Sequence, residues 1–137
     1  WDEETKYLIN QMSNLKKKVK LNSRKGIKFF KSLESRIIYI ANTDYLHEGD
    51  EEITTIEREI NDFISKSTSE SDVESALYYK GFMYFSIKEY GEAIRTYEKI
   101  IENPLNRHIA QSAIYSLCQL HFIVGDFPKS KNYLLIH

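Results

Sequence analysis

Apolar residues recur every three or four positions along nearly the whole chain, the spacing of one face of an α-helix, and no stretch alternates as a half-buried strand would. Seven helices are predicted. The first, over about 2–20, puts Leu8, Met12, Leu15 and Val19 on one stripe. The second, over about 24–45, carries Ile27, Phe30, Leu33, Ile37, Ile40 and Ala41, and Phe29, Ile38 and Tyr39 widen that stripe to two faces. Such width predicts the second helix to be the central, most buried element. The third, about 51–66, shows Ile53, Ile56, Ile60, Phe63 and Ile64 with acidic residues opposite. Four more follow, at about 72–87, 90–102, 107–124 and from 127 onward.

Local chemistry marks the ends. Asn22-Ser23 and Asp50 are of the residue types that cap a helix N-terminus, and Asn103-Pro104 and Gly125-Asp126-Phe127-Pro128 stop one helix and start another. Ser65 to Ser71 is a polar linker. Ser71-Asp72-Val73-Glu74 has the spacing of a capping box, in which Ser71 and Glu74 satisfy each other's backbone N–H. The expected fold class is all-α: an N-terminal helical bundle over 1–68, and two helical hairpins over 69–137 packed with it as one unit.

Composition agrees with one soluble domain. The 137 residues include only five glycines and two prolines, too few for the many turns of a β-sandwich or barrel. One cysteine rules out an internal disulfide and a Cys-based zinc knuckle. No apolar run approaches the roughly 18 residues of a membrane span, so no membrane span is expected. The chain opens at Trp1 without an initiator Met, which leaves its destination open.

The last four predicted helices contain an internal repeat. An offset of 37 residues pairs Leu77 with Ile114, Gly81 with Cys118, Tyr90 with Phe127, Ala93 with Ser130 and Tyr97 with Leu134. Small residues fall on small ones and large apolar residues on large ones. Gly81 and Tyr84 stand in a G-x-x-Y spacing, Ala93 and Tyr97 in an A-x-x-x-aromatic spacing, and Pro104 closes the unit. In these features the stretch from Val73 to Ile136 resembles the tetratricopeptide-repeat (TPR) family. Leu77 and Lys80 depart from the family's Trp and Leu, and the second copy departs further, with His121 and Ser130 replacing an aromatic and an alanine. The long offset is similar to that of TPR proteins of the bacterial cell envelope, which implies a periplasmic or envelope location. Gly49-Asp50 sits like Gly125-Asp126, so the second and third helices are a candidate degenerate hairpin. Repeat arrays need caps, a role the first three helices would supply.

What the resemblance implies is a non-enzymatic scaffold or adaptor. In the family, the first helix of each hairpin lines a concave groove. That register puts Tyr78, Phe82, Phe85 and Ser86 there from one hairpin and Tyr115, Gln119, Phe122 and Ile123 from the next. An aromatic strip of this kind suits an amphipathic helix or extended segment of another protein in a hetero-complex. The alternative is that the first or second helix of the same chain fills it. Chaperone-binding members carry Lys, Arg and Asn at these places as a carboxylate clamp; none stands here, so an acidic C-terminal tail is not the expected ligand.

No phosphate loop, zinc-protease helix or nucleophile elbow occurs, and no cofactor is expected. Cys118 and His121 share a helix face but occupy hairpin-packing positions, and Glu51, Glu52, Glu57 and Glu59 read as a solvated surface. Charge supplies a rival reading. The formal net charge is −1, yet residues 1–47 balance to +5, residues 48–75 to −8 and residues 76–137 to +2. Eight basic residues with no acid among them (Lys16, Lys17, Lys18, Lys20, Arg24, Lys25, Lys28 and Lys31) are a candidate patch for nucleic acid or an anionic surface. Against it, the block lacks interleaved aromatics until Phe29 and Phe30, so nucleic acid is not the favoured partner. Leu8, Met12, Leu15 and Val19 also keep heptad spacing, a route to self-association through the first helix.

Overall fold

The computed structural model describes residues 24–43 and 49–136, together with residues 3, 6, 7, 10 and 46; of 24–27, 134 and 136 the backbone alone is described. Among the described residues the fold is all-α, with six helices and no strand. They are α1 (Arg24–Ala41), α2 (Glu51–Lys66), α3 (Glu70–Ser86), α4 (Tyr90–Glu102), α5 (Arg107–Ile123) and α6 (Phe127–Ile136). The predicted first helix lies outside the described residues apart from Glu3, Lys6, Tyr7 and Asn10, which are helical.

Consecutive helices run antiparallel. Phe29 and Phe63 stack at 4.3 Å between α1 and α2, and Arg36 pairs with Glu59 further along the same two helices. Between α2 and α3, Tyr84 donates to Glu57 at 2.7 Å and Lys80 to Asn61 at 2.9 Å. Glu57 and Glu59 are therefore engaged with neighbouring helices, contrary to the solvated surface expected of them; Glu51 and Glu52 are exposed.

The central element is α3, not α1. It packs against α1, α2, α4 and α5, and Ala76, Tyr78, Tyr79, Phe82, Met83, Tyr84 and Phe85 are all buried. By contrast, α1 buries a single stripe of Phe30, Leu33, Ile37 and Ile40 and leaves Tyr39 exposed. It ends at Ala41, short of the expected 45, where the Thr43 hydroxyl donates to the Tyr39 carbonyl at 2.9 Å and the polar Asn42-Thr43 pair turns the chain.

The start of α3 also differs from expectation. Ser69 is its N-cap and accepts from the Asp72 backbone N–H at 3.2 Å, so Ser71 lies inside the helix. Glu74 is thereby free of a capping box and does something else. Its buried carboxylate accepts the backbone N–H of Leu105 at 2.6 Å and of Asn106 at 2.9 Å, stapling α3 to the loop that opens α5. The Asn106 side chain in turn accepts from His108 and Ile109, capping α5.

The 37-residue repeat is drawn in the backbone of the two hairpin turns. Ile87 N–H donates to the Met83 carbonyl, Lys88 to Phe85 and Glu89 to Tyr84. The same three bonds recur from Val124 to Leu120, Gly125 to Phe122 and Asp126 to His121. The turn needs one left-handed residue, supplied by Gly125 at φ 85° and by Lys88 at φ 64°. Between the helices the two hairpins differ. A Cβ on Gly81 would lie 2.8 Å from the Tyr97 ring, so that ring lies directly on the α3 backbone. In the second hairpin Cys118 takes the glycine's place and the Ser130 hydroxyl donates to the Cys118 carbonyl at 2.9 Å. The candidate hairpin of α1 and α2 lacks such small residues; Phe29, Phe30 and Phe63 fill the space, and both helices pack on α3 more closely than on each other.

Two outcomes test this packing. Gly81→Ala is expected to cost about 1–3 kcal/mol in urea unfolding, the range for overpacking a core. Adding Tyr97→Leu should return part of that loss, since the repeat offset pairs Tyr97 with a leucine where it pairs Gly81 with the larger Cys118. At the turns, Lys88→Gly is expected to stabilise by about 0.5–1 kcal/mol and Gly125→Ala to destabilise by about 1 kcal/mol in thermal unfolding, because an L side chain is strained at positive φ.

Candidate functional site

Of the eight residues expected along the groove, Ser86 and Ile123 are partly buried and the other six divide into two groups. Tyr78, Phe82 and Phe85 are buried, with Phe82 at 0% exposure, and belong to one core cluster with Phe30, Leu33, Ile37 and Ile40 of α1. For this hairpin the groove is closed from within the chain, the alternative that the sequence left open. Tyr115 and Phe122 are exposed, at 43% and 62%, and Gln119 is partly exposed.

Interior contacts explain the first group. Tyr78 packs edge-on against Tyr79 and tilts onto Tyr97 at 5.7 Å, while Tyr79 stacks on Phe30 at 5.3 Å. Burial pushes the Tyr78 phenol well above its ordinary pKa, and Tyr97, Tyr79 and Tyr7 add to the rise while Ser112 opposes it. Burial raises Tyr97 in the same way, with Ser116 opposing. These phenols stay protonated through the neutral range and act as packing groups at the junction of the two hairpins.

The second group includes residues that sequence reasoning did not single out. Phe127 and Val124 are exposed, and Phe127 meets Phe122 edge-on at 5.3 Å. Its repeat counterpart is the pair Phe85 and Tyr90, also edge-on, at 5.9 Å. The same aromatic clasp thus closes both turns; in the first hairpin Phe85 is buried and Tyr90 half-buried, and in the second both rings are exposed. The alignment of Tyr90 with Phe127 was the available signal. Tyr115 stands two helical turns from Phe122 on the same face of α5, so Tyr115, Phe122 and Phe127 make one exposed strip with the partly exposed Gln119 beside it.

The basic segment is only partly in view. Lys16, Lys17, Lys18 and Lys20 lie outside the described residues, and of Arg24 and Lys25 only the helical backbone is described. Lys28 and Lys31 are exposed on α1. Of the two aromatics nearest this block, Phe30 is buried against Tyr79 and so is not free to stack on a base, and Phe29 is half-buried with one face on Phe63.

Other chemistry is structural. Cys118 Sγ lies 3.4 Å from the Ser130 hydroxyl, and His121 stacks on Tyr133, so both face α6. Among the described residues no three His, Cys, Asp or Glu side chains converge as a metal site, and no helix is long and apolar enough to cross a membrane. A cleft of about 740 Å³ opens between α1, α2 and the linker to α3, lined by Phe29, Phe63 and Ser67–Ser69. Its charged walls pair with one another, Arg36 with Glu59 and Lys66 with Asp62.

The split between the two groups predicts opposite responses to the same change. Phe82→Ala should cost about 3–5 kcal/mol in urea unfolding, as for a buried phenylalanine. Phe122→Ala should fall within about 0.5 kcal/mol of the parent, as for an exposed site.

Compared with family models, with curated proteins and with solved structures, the chain matches none of them.

Proposed function

We propose that this chain is a non-enzymatic, TPR-like scaffold or adaptor that binds and stabilises a partner protein through its second hairpin. The observation that carries the proposal is the exposed Phe122–Phe127 clasp beside Tyr115, at repeat positions whose first-hairpin counterparts are buried at Tyr78 and Phe85 and half-buried at Tyr90. Exposed aromatics clustered on a rigid helical face are the usual anchors of protein interfaces. The partner element is an amphipathic helix or an extended segment, which would lie along Tyr115, Gln119 and Phe122. The spacing of the repeats favours a setting in the bacterial cell envelope. Within this reading Tyr78, Phe82 and Phe85 hold the groove's shape from beneath.

Binding of nucleic acid or an anionic surface through Lys16–Lys31 is the second reading, supported by the exposure of Lys28 and Lys31. The two separate on salt. Phosphate binding weakens steeply as salt rises, whereas an aromatic contact does not.

The test is affinity capture with the parent chain and with a Tyr115→Ala/Phe122→Ala variant, each first shown by circular dichroism to be folded. One protein partner retained by the parent and lost by the variant, with retention unchanged from low to moderate salt, is the expected result. Retention by the variant, or recovery of nucleic acid alone, overturns the adaptor reading.

A further inference from the structure

Among its departures from the first hairpin, the second places a histidine at a buried position. Tyr84 and His121 are 37 residues apart and occupy the same place in their hairpins. Tyr84 spends its phenol on a hydrogen bond to Glu57 of the preceding helix. His121 is buried at 4% exposure, and its Nε2 atom has no hydrogen-bond partner. Its ring lies flat on the Tyr133 ring of α6, with centroids 5.4 Å apart and planes 9° from parallel. With the Ser130–Cys118 hydrogen bond and the backbone bonds of the turn, this stack joins the late part of α5 to the body of α6.

A neutral imidazole tolerates that place. A protonated one is disfavoured there, because the Nε2 position would present a charged N–H where no hydrogen-bond partner stands. The ring escapes by reaching water, which requires α6 to lift. We propose that the His121–Tyr133 stack is a proton-sensitive latch, holding α6 on α5 while His121 is neutral and releasing it when the ring is protonated.

The charged surroundings set its direction. The titratable groups facing His121 are Glu98 from α4, Asp126 from the turn, and Lys129 and Tyr133 from α6. Burial lowers the His121 pKa from the ordinary 6.5 and Lys129 lowers it further, while Asp126 and Glu98 oppose them without reversing the shift. The released ring therefore binds its proton more readily than the latched one. Linkage gives the sign: the latch is at full strength above about pH 6.5 and weakens as the pH falls below it, down to the lower pKa of the latched ring. Phe127 opens α6 and meets Phe122, so release also takes apart the exposed aromatic clasp. That last consequence rests on the adaptor reading, whereas the latch does not.

The experiment is NMR of the whole chain between pH 5 and pH 8, following the His121 ring protons and the exchange protection of the α6 amides from Lys129 to Tyr133. The expected result is a His121 titration midpoint below 6.5 and α6 protection, corrected for intrinsic exchange, about three- to tenfold lower at pH 5.5 than at pH 7.5. In His121→Phe, which keeps a ring on Tyr133 and cannot titrate, the α6 protection should be level across that range. His121→Tyr, which copies the residue at the matching position of the first hairpin, is the second variant should the first fail to fold, and it too should be level. A His121 midpoint at or above 6.5 overturns the latch, as does an acid loss of α6 protection equally large in the folded variant. Because no partner is present, neither result bears on the adaptor reading.

Discussion

The position of everything beyond α3 depends on how closely α4 approaches it, and that distance is set by the Tyr97 ring lying on Gly81. A ring seated directly on backbone is a contact that no other residue at 81 permits, since any Cβ would lie inside van der Waals range. With α4 so placed, Tyr97 also reaches Tyr78 and the neighbourhood of Ser116, so the same ring helps define where α5 can dock. Glu74 completes the arrangement from the other end of α3, holding the Leu105 and Asn106 amides that begin the next hairpin. One apolar contact and one carboxylate thus fix the second hairpin on the first.

The two hairpins show how a repeat keeps its backbone while exchanging its side chains. The turn bonds are identical in pattern, yet one left-handed position is a glycine and the other a lysine. The close approach rests on Gly81 under an aromatic ring in one hairpin, and on Cys118 beside a serine hydroxyl in the other. The two hairpins thus reach the same turn geometry with different residues between their helices. This exchange explains why the second copy is the fainter one in sequence although its turn geometry is equally regular.

Helix limits were legible wherever a turn residue and a periodic stripe agreed: 51–66 and 90–102 match the observed bounds of α2 and α4. Two other features were not legible, for identifiable reasons. Among Ser67, Ser69 and Ser71 any could cap α3, and the choice fell to Ser69 because Glu74 is drawn to the α5 loop and not to its own helix start. The width of the apolar stripe pointed to α1 as the central helix, but stripe width does not reveal how many neighbours a helix has. Of α3 the same measure says little, because its apolar residues lie on several faces at once. The groove suffered likewise. Helical register put Tyr78, Phe82, Phe85, Tyr115, Gln119 and Phe122 on related faces, but whether a face is covered depends on which other helix lies across it, and that is a tertiary fact.

The contrast between the clasps carries the functional argument furthest. Fully burying a phenylalanine side chain is worth about 1.5–3 kcal/mol, so Phe122 at 62% exposure and Phe127 at 58% together forgo about 2–4 kcal/mol of available stabilisation. That is a large share of the roughly 5–15 kcal/mol by which a domain of this size exceeds its unfolded state. The first hairpin shows that this fold has a way to cover the pair, with Phe85 and Tyr90 closed into or against the core. If stability alone shaped the second hairpin, polar residues at 122 and 127 would cost nothing and remove an aggregation risk. Two aromatic rings held edge-on to one another in the open are the surface that the proposed adaptor reading gives to a partner.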